Sequence, residues 1–321
     1  MTRPLGVAAL LLGVLLAGCT SGSPPGDRPA GSPEPTNARS GTASPAAPAP
    51  TGERRPATFD PAAAMDLVRE LASAGPREAA SPAFRRAAAL VAGRLRDLGY
   101  DVGRQSVPVP AGTSWGVPVA AGRTFNIVAR PRGWAAATRY VLVGAHRDTV
   151  PQAPGAEDNA SGVSVLLQLA GLAAESPPAV PVVFVAFGAE EPRGPGDDEH
   201  HFGSQAYLQQ TGDLDEPALR AMVSLDRVGA PGSVPVCTGG LSPRRVQREL
   251  LAAAQRVGVP ARACENRTSD HWPFEKDGAT VARMGGNDSA GYHSARDLPG
   301  TVSPRQLDRV GAVLWEWLRV Q

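Results

Sequence analysis

The sequence predicts an α/β fold: a three-layer α/β/α sandwich built on a mostly parallel, mixed central sheet. Three observations carry that prediction. Short apolar runs rich in branched residues recur along the chain, as strands buried on both faces require. Between them lie stretches with apolar residues at helical spacing. At the ends of the runs stand His, Asp and Glu, where an open α/β sheet forms its ligand crevice.

In chain order, residues 63–74 and 82–98 read as helices. The second carries Phe84, Ala88, Leu90, Val91, Leu95 and Leu98 at helical spacing, with Gly99 as its stop. Strands follow at 126–129, 140–143, 180–187 and 222–225, with a further strand-like stretch at 233–237. Helical patterns occupy 162–174 and 244–257, and no repeat is visible. One α/β domain over residues 57–321 accounts for these elements.

The 321 residues are 42% hydrophobic and 20% charged, with a net charge of +1. That profile suits a soluble globular protein and offers no electrostatic field to attract nucleic acid. No basic run interleaves with aromatics, so nucleic acid is excluded as a partner.

The first residues have another purpose. After Arg3 comes an apolar run over 5–18, too short to span a bilayer comfortably and of the length of an export signal. It ends Leu16-Ala17-Gly18-Cys19, which resembles the lipobox of bacterial lipoproteins, in which the cysteine is acylated and becomes the mature N-terminus. Residues 1–18 are therefore expected to be a lipoprotein signal peptide and Cys19 the lipidation site. Two or more acyl chains hold a protein stably on a membrane. The alternative is an ordinary secretory signal that contains a cysteine. Residues 19–56 are Pro, Ser, Gly, Thr and Ala with almost no large apolar side chain, a composition that cannot offset ordering entropy. They read as a disordered tether reaching on the order of 35 Å. The expected location is the outer side of the cell membrane, with shedding as a variant, and a monomer is expected.

The polar residues at the strand ends are the functional signal. Gly144-Ala145-His146-Arg147-Asp148 follows one run, and Asp158-Asn159-Ala160-Ser161-Gly162 opens a helix. Glu190-Glu191 follows the next run, Asp226 the next, and Asp270-His271 and Tyr292-His293 come later. Imidazoles with carboxylates suit zinc, and a carboxylate bridges two ions about 3.5–4 Å apart.

In order, spacing and context these strings resemble the secreted bacterial di-zinc aminopeptidases, metallopeptidase family 28, which are related to glutaminyl cyclases. The resemblance runs from about Pro56 to the C-terminus and implies the zinc exopeptidase fold. It implies two zinc ions: one on His146 and Asp226, the other on Glu191 and His293, with Asp158 bridging. It makes Glu190 the general base for the attacking water and Asp148 the acceptor that orients the His146 ring. Tyr292 would donate to the oxyanion, and Arg267 would help hold substrate near the Asp270-His271 loop. The implied substrates are peptides with a free N-terminus.

Several residues receive plainer readings. Asp270 and His271 shape the pocket wall rather than ligate metal. His200 and His201 read as surface residues of a Pro/Gly/Asp-rich insertion over 192–201. The Asn-x-Ser/Thr sequons at Asn159, Asn266 and Asn287 read as chance. Cys237 and Cys264 are a disulfide candidate in an exported protein, against two separate thiols. Three departures from the family pattern bear on substrate access: the 192–201 insertion, Arg227 where an apolar residue is usual, and Thr268 added beside Arg267. Two rival readings remain, a glutaminyl cyclase-type zinc acyltransferase and a non-catalytic binding lipoprotein on the same fold.

Overall fold

Side chains along a strand alternate between the two faces of its sheet, and here both sets are apolar. Ile127, Ala129, Val141, Val143, Phe184 and Ala186 belong to one buried cluster; Val128, Leu142, Val183, Val185 and Phe187 belong to another. A sheet with two apolar faces must be covered on both, which makes three layers. Burying each large aliphatic side chain contributes about 1.5–3 kcal/mol.

The computed structural model describes residues 58–135, 138–215, 218–241, 243–286 and 291–321. The signal segment, Cys19, the tether and Asn287 lie outside the described residues. Among the described residues no helix is long and apolar enough to cross a membrane.

The chain begins with helices α1 (Pro61–Ser73) and α2 (Pro82–Asp97). Each has proline in its first turn and a side-chain cap. Asp60 accepts from the N–H groups of Ala62 and Ala63 at 2.9 and 3.0 Å, and Ser81 from that of Phe84 at 3.0 Å. Gly99 ends the second helix with φ +92, the left-handed stop that the sequence predicts.

Strands β1 (Asp101–Val109), β2 (Gly112–Ser114), β3 (Val117–Val119), β4 (Gly122–Arg130), β5 (Tyr140–His146) and β6 (Val182–Phe187) follow, with α3 (Gly162–Glu175) between the last two. Then come α4 (Phe202–Asp215), β7 (Leu219–Leu225), β8 (Val234–Thr238), α5 (Arg245–Arg256), β9 (Ala261–Glu265), α6 (His271–Lys276), β10 (Val281–Met284) and α7 (Pro304–Leu318). Eight strands form the main sheet in the order β1-β4-β6-β5-β7-β10-β8-β9, and β2–β3 is a separate hairpin. β5 runs parallel to both β6 and β7, β7 to β10, and β8 to β9; β1, β4 and β8 make the antiparallel pairs.

This order places the site. From β5 the chain passes to β6 on one side and to β7 on the other. The carboxyl end of β5 is thus the switch point where an open α/β sheet splays its loops.

Every strand run and helix the sequence predicts is present, with ends within a few residues. The elements it leaves unread include two long helices, α4 and α7, and several that are short, polar or edge-placed. β1 is an edge strand with mostly exposed side chains and Pro108 inside it. α6 has six residues, and β10 four, including Arg283.

Candidate metal centre

His146 is the last residue of β5, and Asp226 directly follows β7. Glu190 and Glu191 lie just beyond β6, Asp158 in the irregular turn Ala156–Ser161 before α3. His293 comes from the loop after β10. Nε2 of His146 stands 3.2 Å from Oδ1 of Asp158 and 3.6 Å from Oδ1 of Asp226. Nε2 of His293 stands 3.1 Å from Oδ2 of Asp158 and 3.3 Å from Oε2 of Glu191. The two oxygens of Asp158 therefore serve two different groups. In each of the sets His146/Asp158/Asp226 and Asp158/Glu191/His293, the facing atoms lie within 4.8 Å of one another.

The donor set fits divalent cations. Oε1 of Glu191, Oδ1 of Asp226 and Nδ1 of both histidines are buried with no hydrogen-bond partner among the described residues. Leaving such carboxylate oxygens buried without a hydrogen bond costs about 1–3 kcal/mol each, and a cation between them removes that cost. Burial opposes ionisation of Asp158, but His146 and His293 outweigh it and hold the carboxyl well below the usual range. For Asp226 burial is outweighed chiefly by Arg283, then by His146. Glu190 and Glu191 are pushed up, first by burial and then by neighbouring carboxylates.

The backbone around these ligands is tied down by side chains that the sequence does not single out. Asp297 accepts from the N–H groups of Glu157 at 2.7 Å and Asp158 at 3.1 Å, fixing the turn that carries Asp158. The buried Glu157 accepts from Gly229 and Ala230. Asn159 donates to the Leu225 carbonyl at 2.8 Å, and its Oδ1 accepts from Gly162 and Arg227. A Cβ on Gly162 would lie 2.4 Å from that Oδ1 and 2.5 Å from the Leu225 carbonyl, so only glycine permits the turn to meet β7. Arg77, between α1 and α2, donates to the carbonyls of Leu71, Arg147, Pro154 and Gly155. Most of these bonds join residues some 70 to 140 positions apart, and no local pattern announces them.

Asp148 differs from its expected role. Its Oδ1 is 3.8 Å from Nδ1 of His146, longer than a hydrogen bond. Its two oxygens accept instead from the backbone N–H groups of Glu190 and Glu191, each at 3.1 Å. One carboxylate thus sets the chain of both adjacent glutamates.

Arg283 is also absent from the sequence reading. It is fully buried, with Nη2 3.2 Å from Oδ2 of Asp226. An arginine inside a short apolar strand gives this away only once the neighbouring strand is known.

Two expectations need correction. Arg267 is exposed, donates through Nε to the Gly239 carbonyl at 2.9 Å and covers the Trp272 ring, so it is not brought to the ligand cluster. His201 is no surface residue: it is 3% exposed, and its Nε2 stands 3.3 Å from Oε1 of Glu190. The 192–201 insertion ends folded back over the site, so its composition says loop without saying where the loop goes. Arg227 is buried, 3.7 Å from Asp226, with its guanidinium 4.2 Å from the Tyr292 ring centroid.

Asp270 and His271 stand beside the cluster, both buried. His271 Nε2 pairs with the Asn266 carbonyl at 2.8 Å, and burial pushes the imidazole down to about 4. Tyr292 stacks on His293 at 3.7 Å between centroids. Trp115, at the tip of the β2–β3 hairpin, lies 4.3 Å from the His293 ring and 5.6 Å from Tyr292, and is 52% exposed. The hairpin is fixed to the segment after Glu191 through Thr113, whose N–H donates to the Arg193 carbonyl at 2.9 Å. Away from the cluster, Cys237 and Cys264 are joined by a disulfide between β8 and β9.

The fold is that of solved zinc exopeptidases. A zinc aminopeptidase from Bacillus subtilis superposes with a TM-score of 0.72 over 82% of this chain and 95% of its own, at 18% identity. A glutaminyl cyclase from Porphyromonas gingivalis gives 0.67 over 81% and 98%, at 25% identity. In sequence, aminopeptidase YwaD of Bacillus subtilis (strain 168) is 29% identical over 182 residues, 53% of this chain. The probable lipoprotein aminopeptidase LpqL of Mycobacterium tuberculosis is 34% identical over 199 residues, 57% of this chain. Those alignments take in 38% and 37% of the two relatives, so the chain spans well under half the length of each. The model of peptidase family M28 matches residues 126–318, from β4 to the end of α7, and thus takes in every residue of the cluster. The chain belongs to peptidase family M28.

Proposed function

We propose that this protein is a zinc-dependent aminopeptidase that removes N-terminal residues from peptides. The observation that carries the reading is the division of Asp158, one oxygen towards His146 and Asp226, the other towards His293 and Glu191. That arrangement suits a pair of ions, and imidazole with carboxylate is a zinc-binding set. Similarity to proteins named as aminopeptidases supports the reaction.

Bound zinc would supply Lewis acidity towards the scissile carbonyl and the attacking water. The chain's own residues do the rest. Glu190, buried and raised towards neutrality by that burial, takes a proton from the water and returns it to the leaving amine. Asp148, through the N–H groups of Glu190 and Glu191, keeps base and ligand on their separate tasks. Tyr292 is 37% exposed, and its phenol is protonated at neutral pH, so it is able to donate to the oxyanion. The free α-amino group of the substrate pairs with carboxylates of the same cluster, which sets the register for cutting one residue at a time.

The lipobox-like Leu16-Ala17-Gly18-Cys19 and the similarity to a probable lipoprotein aminopeptidase support an exported, acylated protein on the outer side of the membrane. A mature N-terminus other than Cys19, with no lipid mass, would refute that part.

The test of the reaction compares Leu-peptide with acetyl-Leu-peptide, with zinc measured in the same preparation. Acetylation removes the ammonium partner of a buried carboxylate, which costs a few kcal/mol, so discrimination of about 100-fold or more in kcat/KM is expected. Equal cleavage of blocked peptides would overturn the aminopeptidase reading. The fold shared with glutaminyl cyclases makes a Gln-initiated peptide the second arm, and cyclisation without Leu release would move the chain to that activity.

A further inference from the structure

Residues 192–201 leave the metal cluster and return to it. At the start, Arg193 donates to the carbonyls of Pro110 and Ala120 at 3.1 and 2.7 Å and pairs with Glu78. In the middle, Asp197 accepts from Trp272 Nε1 at 3.0 Å and Lys276 Nζ at 2.9 Å. At the end, the His201 N–H donates to the Glu190 carbonyl at 2.8 Å. The insertion is thus pinned at three points, and its last residue lands on Glu190.

Three features of His201 point the same way. Its φ is +56, the left-handed region that costs a side-chain-bearing residue free energy glycine would not lose. Its ring is almost wholly buried, with Nε2 3.3 Å from Oε1 of Glu190. Its Nδ1 has no partner among the described residues. The backbone tasks at this position are to meet the Glu190 carbonyl and to accept from Gln205 N–H and Ser204 Oγ at 3.0 and 3.1 Å. Any residue but proline performs them, and glycine would at less strain. The imidazole therefore needs another reason to be there.

We propose that His201 is a positioning residue for Glu190, its Nε2 holding Oε1 so that the other oxygen faces the attacking water. The proposal rests on Glu190 acting as the base. Burial keeps the ring neutral, pushing it down to about 4, opposed chiefly by Asp270 and Asp226. A neutral ring carries one N–H, and this assignment requires the Nε2-protonated tautomer.

The experiment uses the full-length, zinc-loaded protein and the variants His201→Gly, His201→Gln and His201→Asn. Glycine suits the left-handed backbone, which offsets part of the loss of the buried ring, so the fold and the zinc content should be retained. Its kcat on a Leu-peptide should fall about tenfold or more with KM within about twofold, because a misdirected base slows chemistry rather than binding. Gln places an amide nitrogen near the position of Nε2 and should restore most of the rate, whereas Asn reaches only the position of Nδ1 and should not. Equal behaviour of Gln and Asn, or full kcat in the glycine variant, would overturn the proposal. Nitrogen-15 NMR of the wild-type ring gives an independent reading, with an Nε2–H tautomer expected and an Nδ1–H tautomer counting against it. A wild-type protein that binds zinc but cleaves no peptide defeats the aminopeptidase reading, and the tautomer then decides whether His201 holds Glu190.

Discussion

Arg283 and Asp226 meet in the interior at 3.2 Å, Nη2 to Oδ2, on a carboxylate whose other oxygen faces His146. The parallel pairing of β10 with β7 brings them together, setting Met284 beside Leu225 at the end of each strand. Removing one member of a buried pair leaves the other charge uncompensated, at a cost of about 3–5 kcal/mol. Arg283→Met should destabilise the zinc-free protein by about that much. If Asp226 holds zinc as proposed, added zinc should recover part of the loss. Denaturant unfolding with and without zinc measures both, and an equal loss in the two states would show that the pair is not linked to the metal site.

Glu190 and Glu191 are adjacent but face different partners, His201 for the first and His293 for the second. Glu190→Gln should keep its zinc and lose about 100-fold or more in kcat. Glu191→Gln should lose metal from one position. Chelation should abolish activity and added zinc restore it, since the ligands bind only when deprotonated, and activity should fall in acid for the same reason. Identical metal contents in the two variants would refute this division of tasks.

Trp115 presents an exposed indole beside His293 and Tyr292, on a hairpin that precedes the family-matched region. A substrate with a bulky apolar side chain next to the cut bond should bury it there. Covering such a side chain contributes about 1.5 kcal/mol, roughly tenfold in affinity. Trp115→Ala should raise KM about that much for Leu- or Phe-containing substrates and under about twofold for Gly or Ala counterparts. A uniform change across the series would mean that the hairpin shapes the site without reading the substrate.

The disulfide Cys237–Cys264 closes a loop of 27 residues at the sheet edge. Constraining an unfolded loop of that size contributes about 3.5 kcal/mol in the chain-entropy account. Replacing both cysteines with alanine should lower unfolding stability by about that amount and leave kcat on the folded protein unchanged. A matching loss of activity would show that β8 and β9 also shape the pocket.

Local chemistry by itself determined much of this protein. Strands buried on both faces had to be apolar at successive positions, so Tyr140–His146 and Val182–Phe187 stand out in the sequence. His and carboxylate side chains at strand ends and loop starts are the types that hold zinc, so His146, Asp158, Glu191, Asp226 and His293 stood out as candidates once the family resemblance was seen, and the fold brings them together. The tertiary structure decided what lies between them. Asp148 could be recognised as important, but its two backbone acceptor bonds depend on where the chain after β6 turns. Asp297 reaches Asp158 across 139 residues, and Arg283 reaches Asp226 through strand pairing. His201 looked like part of a solvated loop because composition reports how a segment bends, not what it bends onto. Arg267 looked like a site residue because one inserted threonine does not reveal which way a guanidinium points. Periodicity and residue type are local properties, readable one window at a time. Orientation and long-range hydrogen bonding arise only when the sheet order brings distant segments to the same switch point.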